Sequence, residues 1–238
     1  MTLQPYSLLM IAGIAITLLF WRRLARNDMP LLFIYLSALA GAFVGAKVLY
    51  FAAEGWLHVG APNVWLHLAT GKSILGALLG GYLSVEAAKY ALGYRPTTGD
   101  GFAIITPIGV IFGRVGCLVH GCCAGRACGA SWFAMNDANG IPRWPAVPCE
   151  IVFNAVALFA VLALRRWKIL PGQHFHLYLI AYGLFRFFHE FLRDTPRIVG
   201  GWSGYQFAAL IVAGFGAVRF WARAHSAAGF ATSVGADG

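Results

Sequence analysis

Long apolar runs separated by short polar stretches dominate the chain. A helix that crosses a bilayer needs about 20 mostly apolar residues, so each run of roughly this length predicts one membrane span. Seven segments follow this pattern: Tyr6–Phe20, Leu31–Ala53, Ser73–Leu92, Gly101–Val119, Val147–Leu164, His174–Phe191 and Gly204–Phe220. The pattern predicts an all-α, polytopic integral membrane protein with about seven transmembrane helices.

The composition agrees with a membrane location. Of the 238 residues, 59% are apolar and 11% are charged, whereas a soluble domain has about 45–50% apolar and about 25% charged residues. A disordered chain, a nucleic-acid-binding protein and a disulfide-rich secreted module are therefore excluded. Lys and Arg outnumber Asp and Glu by 18 to 9. In a chain of this kind, basic residues flank the spans and set their orientation.

The basic residues also predict the topology. With the N-terminus outside, ten of them lie in the loops on the inner side and five in the outer loops, as the positive-inside rule requires of a cytoplasmic C-terminus. Arg22, Arg23 and Arg26 follow the first span and no basic residue precedes it, which indicates a retained span and not a cleaved signal. We expect one seven-helix domain over residues 1–223, with its site near the outer face, and a disordered tail over residues 224–238.

Pairs of glycines predict close contacts between helices. Gly41 and Gly45 are four residues apart, as are Gly76 and Gly80. Small residues at this spacing allow two helices to approach closely in lipid.

Several ionisable side chains lie within or at the ends of the spans, where they are costly and usually functional. They are Lys47, Glu86, Arg114, Glu150, Arg186 and Glu190. Lys47 and Glu86 can reach an interface or pair with an opposite charge. On one helix, Tyr182, Arg186, Glu190 and Arg193 would form a single polar stripe. Two arginines on separate spans suit an anionic lipid head group, because guanidinium groups bind phosphate in a bidentate manner. A purely structural pair between Arg186 and Glu190 is the alternative.

The five cysteines are clustered. Cys117, Cys122, Cys123, Cys128 and Cys149 fall within 33 residues, and His120 lies among them. Cysteine and histidine suit a metal site, but this spacing matches no standard zinc finger or ribbon. Disulfides at the outer face and plain helix packing are the two other interpretations that the sequence leaves open.

Two motifs resemble those of a known family. The segment Phe112–Gly125 resembles the signature G-R-x-G-N-F-x-N-x-E-x-x-G of prolipoprotein diacylglyceryl transferases. Tyr182-Gly183-x-x-Arg186-Phe187-x-x-Glu190-Phe191-x-Arg193 matches that family's Y-G-x-x-R-F-x-x-E-F-x-R. Gln206 is a weaker match, and Ser73–Gly81 stands where the family has S-F-H-G-G-L-x-G. The resemblance extends over about residues 30–220.

The resemblance implies a reaction at the outer side of the bacterial inner membrane. Phosphatidylglycerol, or a related anionic phospholipid, would transfer its diacylglyceryl group to the thiol of a lipobox cysteine in a precursor protein. Glycerol 1-phosphate would leave. No cofactor, metal or nucleic acid is expected. Carried over by motif, the catalytic residues would be Arg114, Arg186, His120 and Glu190. The substrate-binding residues would be Tyr182, Arg193, Gly113, Gly116, Gly125, Cys117, Cys122 and Gln206.

The chain departs from the family pattern at the positions that move protons. The histidine of the glycine-rich motif falls on Leu75, which cannot take a proton. The asparagine and glutamate positions of the arginine motif fall on Cys117, His120 and Cys122. His120 is our candidate for the missing base, because an imidazole titrates near neutral pH; hydrogen bonding within a turn is its alternative role.

Two other functions stay open. The same scaffold could serve a different acceptor, or thiol and redox chemistry at the cluster of cysteines and His120. It could also bind or transport an anionic lipid without catalysis, with Arg114 and Arg186 as a static binding site.

Overall fold

The computed structural model describes residues 5–60 and 62–234. These residues form eight α-helices and a small two-stranded hairpin in which β1 (Met135–Asn136) pairs antiparallel with β2 (Pro142–Arg143). The helices are α1 (Pro5–Leu24), α2 (Met29–Ala53), α3 (Val64–Thr70), α4 (Ile74–Ala91), α5 (Gly99–His120), α6 (Ala146–Arg166), α7 (His174–His189) and α8 (Gly204–Val234). Short 3₁₀ turns follow α2 at Gly55–His58 and α7 at Glu190–Leu192. The predicted all-α class is confirmed.

Each predicted span falls on a separate helix, namely α1, α2 and α4 to α8. Within the described residues, four helices are long and apolar enough to cross a membrane: Met29–Ala53, Gly99–His120, Ala146–Arg166 and Gly204–His225. Helices α3 and α4, bent by 58° relative to each other, would make a fifth as one broken span. The protein is a multi-pass membrane protein; the count of seven and the orientation of the termini stay predictions.

Two stretches of helix lie where the sequence analysis expects none. Helix α3 lies within residues 54–72, between the second and third predicted spans. Helix α8 continues to Val234, so helix is present over residues 224–234, within the segment expected to be a disordered tail. Residues 235–238 lie outside the described residues, and the division of the chain at residue 223 stays a prediction.

Local side-chain chemistry determines where two of the spans begin. The Asp28 carboxylate accepts a hydrogen bond from the backbone N–H of Leu31 at 3.1 Å, and a proline follows in the first turn of α2. The Ser73 hydroxyl accepts from the N–H of Gly76 at 3.5 Å at the start of α4. These caps satisfy N–H groups that have no partner within the helix.

The glycine pairs bring α2 and α4 into backbone contact, as predicted. A Cβ added to Gly45 would lie 2.3 Å from the carbonyl oxygen of Gly76, and one added to Gly80 would lie 2.3 Å from that of Gly41. No side chain fits at such distances, so this interface depends on glycine.

Lys47 and Glu86 both have partners, as expected of charges near the ends of spans. The Lys47 ammonium donates to the carbonyl oxygens of Leu68 and Gly71 at the end of α3, at 2.9 and 3.0 Å. Glu86 forms ion pairs with Lys89 and Arg219. Neither residue contributes to the polar cluster described below.

Helix α5 packs against α1 and α6, and α7 packs against α8. The segments that follow α5 and α7 meet each other. Gly125 forms a β-bridge with Arg193, and the backbone N–H of Arg126 donates to the carbonyl of Leu192 at 2.9 Å. The C-terminal ends of α5 and α7 therefore lie at the same end of the bundle, beside the N-terminal end of α6.

Candidate active site

A buried glutamate on α6 connects the two intramembrane arginines. Glu150 is fully buried, and its Oε2 lies 2.9 Å from an Nη of Arg114 on α5 and 3.5 Å from an Nη of Arg186 on α7. The Tyr182 hydroxyl donates to its other oxygen at 2.6 Å. Asn154, one turn further along α6, donates to the Glu150 carbonyl oxygen and accepts from the Tyr178 hydroxyl. Three helices therefore converge on one carboxylate.

A second buried glutamate holds the other side of Arg186. The Glu190 carboxylate lies 2.8 Å from Arg186 and 3.6 Å from Arg193, and it accepts a hydrogen bond from the Thr195 hydroxyl at 2.7 Å. The predicted pair between Arg186 and Glu190 is therefore present. It belongs to a network in which Arg186 lies between two carboxylates, and this geometry fixes the direction of its guanidinium group.

The polar stripe that we predicted on one helix is wrong in its local structure. Helix α7 ends at His189, Glu190 begins a 3₁₀ turn, and Arg193 lies beyond it in extended conformation. The four predicted side chains still come together, because the turn keeps Glu190 one helical turn from Arg186 while redirecting the chain.

Gln206 joins this network from α8. The Arg197 guanidinium donates to the Gln206 side-chain oxygen and to the Glu190 carbonyl oxygen, both at 2.9 Å. The backbone N–H of Ser203 donates to the same Gln206 oxygen at 2.9 Å. A segment of chain between α7 and α8 is thereby fastened to the site.

The predicted loop glycines have different roles. Gly113 and Gly116 lie on α5 on either side of Arg114. Gly125 lies in the following segment, where an added Cβ would be 2.4 Å from the carbonyl oxygen of Trp144. Only glycine fits where the backbone at residue 125 approaches that of Trp144 so closely.

Three cysteines meet where α5 ends. The backbone N–H of Cys122 donates to the carbonyl of Cys117 at 3.1 Å, and that of Gly121 donates to the carbonyl of Leu118 at 3.2 Å. With Gly121 at a φ of 69°, this is a Schellman motif, whose geometry brings Cys117 and Cys122 together. The sulfur atoms of Cys117, Cys122 and Cys123 all lie within 4.8 Å of one another, and the five cysteines are free.

Cys123 is the most acidic of these thiols. Its pKa is lowered, first by a hydrogen bond from the Cys117 thiol and then by the positive charges of Arg114 and Arg193, against the opposing effect of desolvation. The cysteine cluster and the arginine cluster are thus electrostatic neighbours.

His120 and Leu75 occupy the two positions at which the sequence raises the question of a base. His120 is the last residue of α5 and is exposed; its role as a base stays a prediction. Leu75 is 1% exposed in the first turn of α4, so the position of the family's histidine is occupied by a buried apolar side chain.

Several members of the site were not predicted from the sequence. Glu150 was predicted only as a charge in a span and had no assigned role, although an acidic residue within an apolar helix is itself a signal of function. His189 was not singled out; it is buried, stacks on Phe185 at 4.9 Å, and neither of its ring nitrogens has a hydrogen-bond partner among the described residues. Nothing in the sequence around Asn154 and Thr195 marks them as members of a site; only their hydrogen-bond partners in the structure do.

Many buried donors in the cluster remain unsatisfied. Within the described part of the chain, the following nitrogens lack a hydrogen bond: Arg114 Nε, Arg186 Nε and Nη1, Arg193 Nε and Nη1, and Gln206 Nε2. Unsatisfied buried donors are costly and rare in folded proteins. Five of these six nitrogens belong to guanidinium groups, and two of the five, Arg186 Nη1 and Arg193 Nε, lie 3.5 and 3.6 Å from the Glu150 and Glu190 carboxylates. Guanidinium donors are suited to the acceptor oxygens of an anion.

The comparisons with known proteins agree with this chemistry. The family model described as prolipoprotein diacylglyceryl transferase matches residues 1–222. The chain belongs to this family. It is 30% identical over 201 residues to the phosphatidylglycerol–prolipoprotein diacylglyceryl transferase of Pseudoalteromonas atlantica, covering 82% of this chain and 69% of the relative. It is 29% identical over 229 residues to phosphatidylglycerol–prolipoprotein diacylglyceryl transferase 2 of Clostridium perfringens, covering 88% of each chain.

Proposed function

We propose that this diacylglyceryl transferase family member transfers the diacylglyceryl group of phosphatidylglycerol to a cysteine thiol of a precursor protein, in the bacterial inner membrane. The names of the relatives support the two substrates. The observation that carries the proposal is the convergence of Arg114 and Arg186, from separate helices, with donors left unsatisfied.

The arginines suit the charge that develops in this reaction. The acceptor sulfur attacks the carbon that bears the phosphate ester, an S–C bond forms, and the C–O bond breaks with its electron pair on the phosphate oxygen of glycerol 1-phosphate. Guanidinium donors held in a site of low polarity stabilise this growing negative charge, and one such donor typically contributes about 10²–10³ in rate.

The carboxylates position the arginines. Glu150 and Glu190 lie on two sides of Arg186, and Tyr182 holds the Glu150 carboxylate. A side chain locked by such partners loses little freedom when the phosphate binds. Positive charge is in excess, because the two glutamates share this network with four arginines, Arg114, Arg186, Arg193 and Arg197.

The thiol proton must also leave, and the predicted base is His120. Its exposed place at the end of α5 puts it within the same segment as the cysteines. His120→Gln, in protein that remains folded, should slow transfer; unchanged turnover would remove His120 from the mechanism.

The test of the function uses the purified full chain in detergent, phosphatidylglycerol and a lipobox peptide, with intact-mass spectrometry of the peptide. Arg114→Lys and Arg186→Lys keep the charge and lose the planar pair of donors, so we expect each to lower the rate by about 10²–10³. Arg219→Lys is the matched control, since Arg219 contacts Tyr82 and Glu86 outside the site.

The outcomes separate the candidate functions. A diacylglyceryl adduct from the wild type and from Arg219→Lys, and little from the two site variants, supports the transferase. Lipid binding that requires both arginines, without any adduct, contradicts it and favours a different acceptor or a non-catalytic lipid-binding protein. Full activity of Arg114→Lys and Arg186→Lys would show that these guanidinium groups do not bind the leaving phosphate.

A further inference from the structure

We propose that Cys117, Cys122 and Cys123 form a zinc site whose fourth coordination position takes up the acceptor thiol. The site itself is independent of the proposed function, and its role in activating the acceptor thiol rests on that function. The primary observation is that the three sulfur atoms lie within 4.8 Å of one another and are not joined by a disulfide.

Local backbone geometry builds this cluster. The Schellman motif at Gly121 places the residue five positions after Cys117 against it, and that residue is Cys122. Cys123 then has a φ of 64°, a left-handed conformation that is uncommon for a residue with a Cβ. In this conformation the Cys123 sulfur lies beside those of Cys117 and Cys122. A strained backbone at a reactive side chain is typical of functional sites.

The donor set suits zinc with an open position. Thiolates are soft ligands that select zinc or Cu(I). A Zn–S bond is about 2.3 Å, so ligand sulfurs around tetrahedral zinc are about 3.8 Å apart, which these side chains reach by moving about 1 Å at most. The group comprises three possible ligands among the described residues. Catalytic zinc sites likewise keep three protein ligands and an open position.

The surroundings fit both the metal and an incoming thiol. Cys117 is buried, whereas Cys122 and Cys123 are only partly buried, so the cluster opens on one side. Zinc with three thiolates carries a net negative charge. The positive charges of Arg114 and Arg193 act on Cys123 and would balance it.

Zinc would activate the acceptor thiol, a role that Leu75, at the position of the family's histidine, cannot fill. A thiol that coordinates zinc is deprotonated, so no side-chain base is needed at the position of Leu75, and His120 or water takes up the proton. The zinc-bound sulfur then forms the S–C bond, while the C–O bond breaks and glycerol 1-phosphate leaves with the electron pair. Arg114 contacts Glu150 and its positive charge acts on Cys123, so the thiol and the phosphate of the proposed reaction would meet beside Arg114.

The metal is tested without any reaction. The reduced full chain in detergent is treated with a chelator, reloaded with Zn²⁺ and assayed for bound zinc by mass spectrometry of the element. We expect stoichiometric zinc in the wild type and in Cys128→Ser, the matched control in the same loop. Cys117→Ser and Cys123→Ser should lose it. Because Cys123 is less buried than Cys117, Cys123→Ser is expected to fold even if Cys117→Ser does not.

The open position is tested with Co²⁺ in place of zinc. A lipobox peptide should change the visible cobalt absorption, and the same peptide with serine in place of cysteine should not, both in the absence of phospholipid. No zinc uptake by folded wild type, or retention of zinc by both variants, would overturn the site. A cobalt spectrum that ignores the peptide thiol would overturn the open position. Zinc bound with no diacylglyceryl adduct would instead count against the proposed function.

Discussion

Glu150 offers the sharpest test of how the site is held together. Glu150→Gln keeps the size of the side chain and removes its charge. Arg114 and Arg186, which lie 2.9 and 3.5 Å from the Glu150 carboxylate, then lose the negative charge that they share. Breaking a buried ion pair by removing one partner costs about 3–5 kcal/mol, because the remaining charge stays buried without compensation. The loss is expected in stability, before any effect on turnover.

The matched control is Glu86→Gln. Glu86 pairs with Arg219 at 3.3 Å, but both side chains are more than 40% exposed. An exposed pair of this kind contributes about 0–1 kcal/mol. In a chain of this length about 1 kcal/mol shifts Tm by roughly 2–4 °C, so Glu150→Gln should lower Tm by roughly 6–20 °C, far more than the control.

Phospholipid provides a second arm. If the arginines receive a phosphate, phosphatidylglycerol in mixed micelles should restore part of the stability lost in Glu150→Gln, because the lipid replaces the missing negative charge. Zwitterionic phosphatidylcholine should restore less. Thermal unfolding followed by intrinsic tryptophan fluorescence measures both. A Tm for Glu150→Gln equal to that of Glu86→Gln would refute the reasoning, since Glu150 would then not be the counterion that the arginines require.

Two further predictions concern the scaffold. Gly45→Ala places a Cβ 2.3 Å from the carbonyl oxygen of Gly76 and should lower unfolding stability by about 1–3 kcal/mol; Gly109→Ala, whose Cβ meets nothing within 4 Å, should not, and equal effects would contradict the close packing. The Tyr94 hydroxyl donates to the Asp28 carboxylate at 2.7 Å. Burial is the larger cause and the Asp28 carboxylate the smaller cause that raise the pKa of Tyr94 to about 12. The pKa of Tyr94 is higher in the folded state than in the unfolded state. The Tyr94 hydrogen bond therefore stabilises the fold fully below about pH 10, and this stabilisation is lost as the pH rises through about 12. A phenolate absorbance step near pH 12, missing in Tyr94→Phe, tests this.

The sequence by itself determined the parts of the protein that depend on neighbours along the chain. Apolar runs placed the helices, because a span must satisfy its own backbone hydrogen bonds in lipid. Asp28 and Ser73 cap helices through N–H groups three residues away. The motif around Arg186 and Glu190 was also readable, since these residues are one helical turn apart.

Tertiary structure decided which charges meet. Glu150, Arg114 and Arg186 lie on three helices, and their distances depend on how α5, α6 and α7 pack. Nothing in the local pattern showed that one carboxylate would serve both arginines. For the same reason, the polar stripe expected on one helix extends over a helix, a 3₁₀ turn and an extended segment. Contacts of Glu190 with Thr195 and Arg197 stabilise this backbone conformation. Helix formation is local, whereas the pairing of buried charges depends on distances between helices, which only the packed bundle sets.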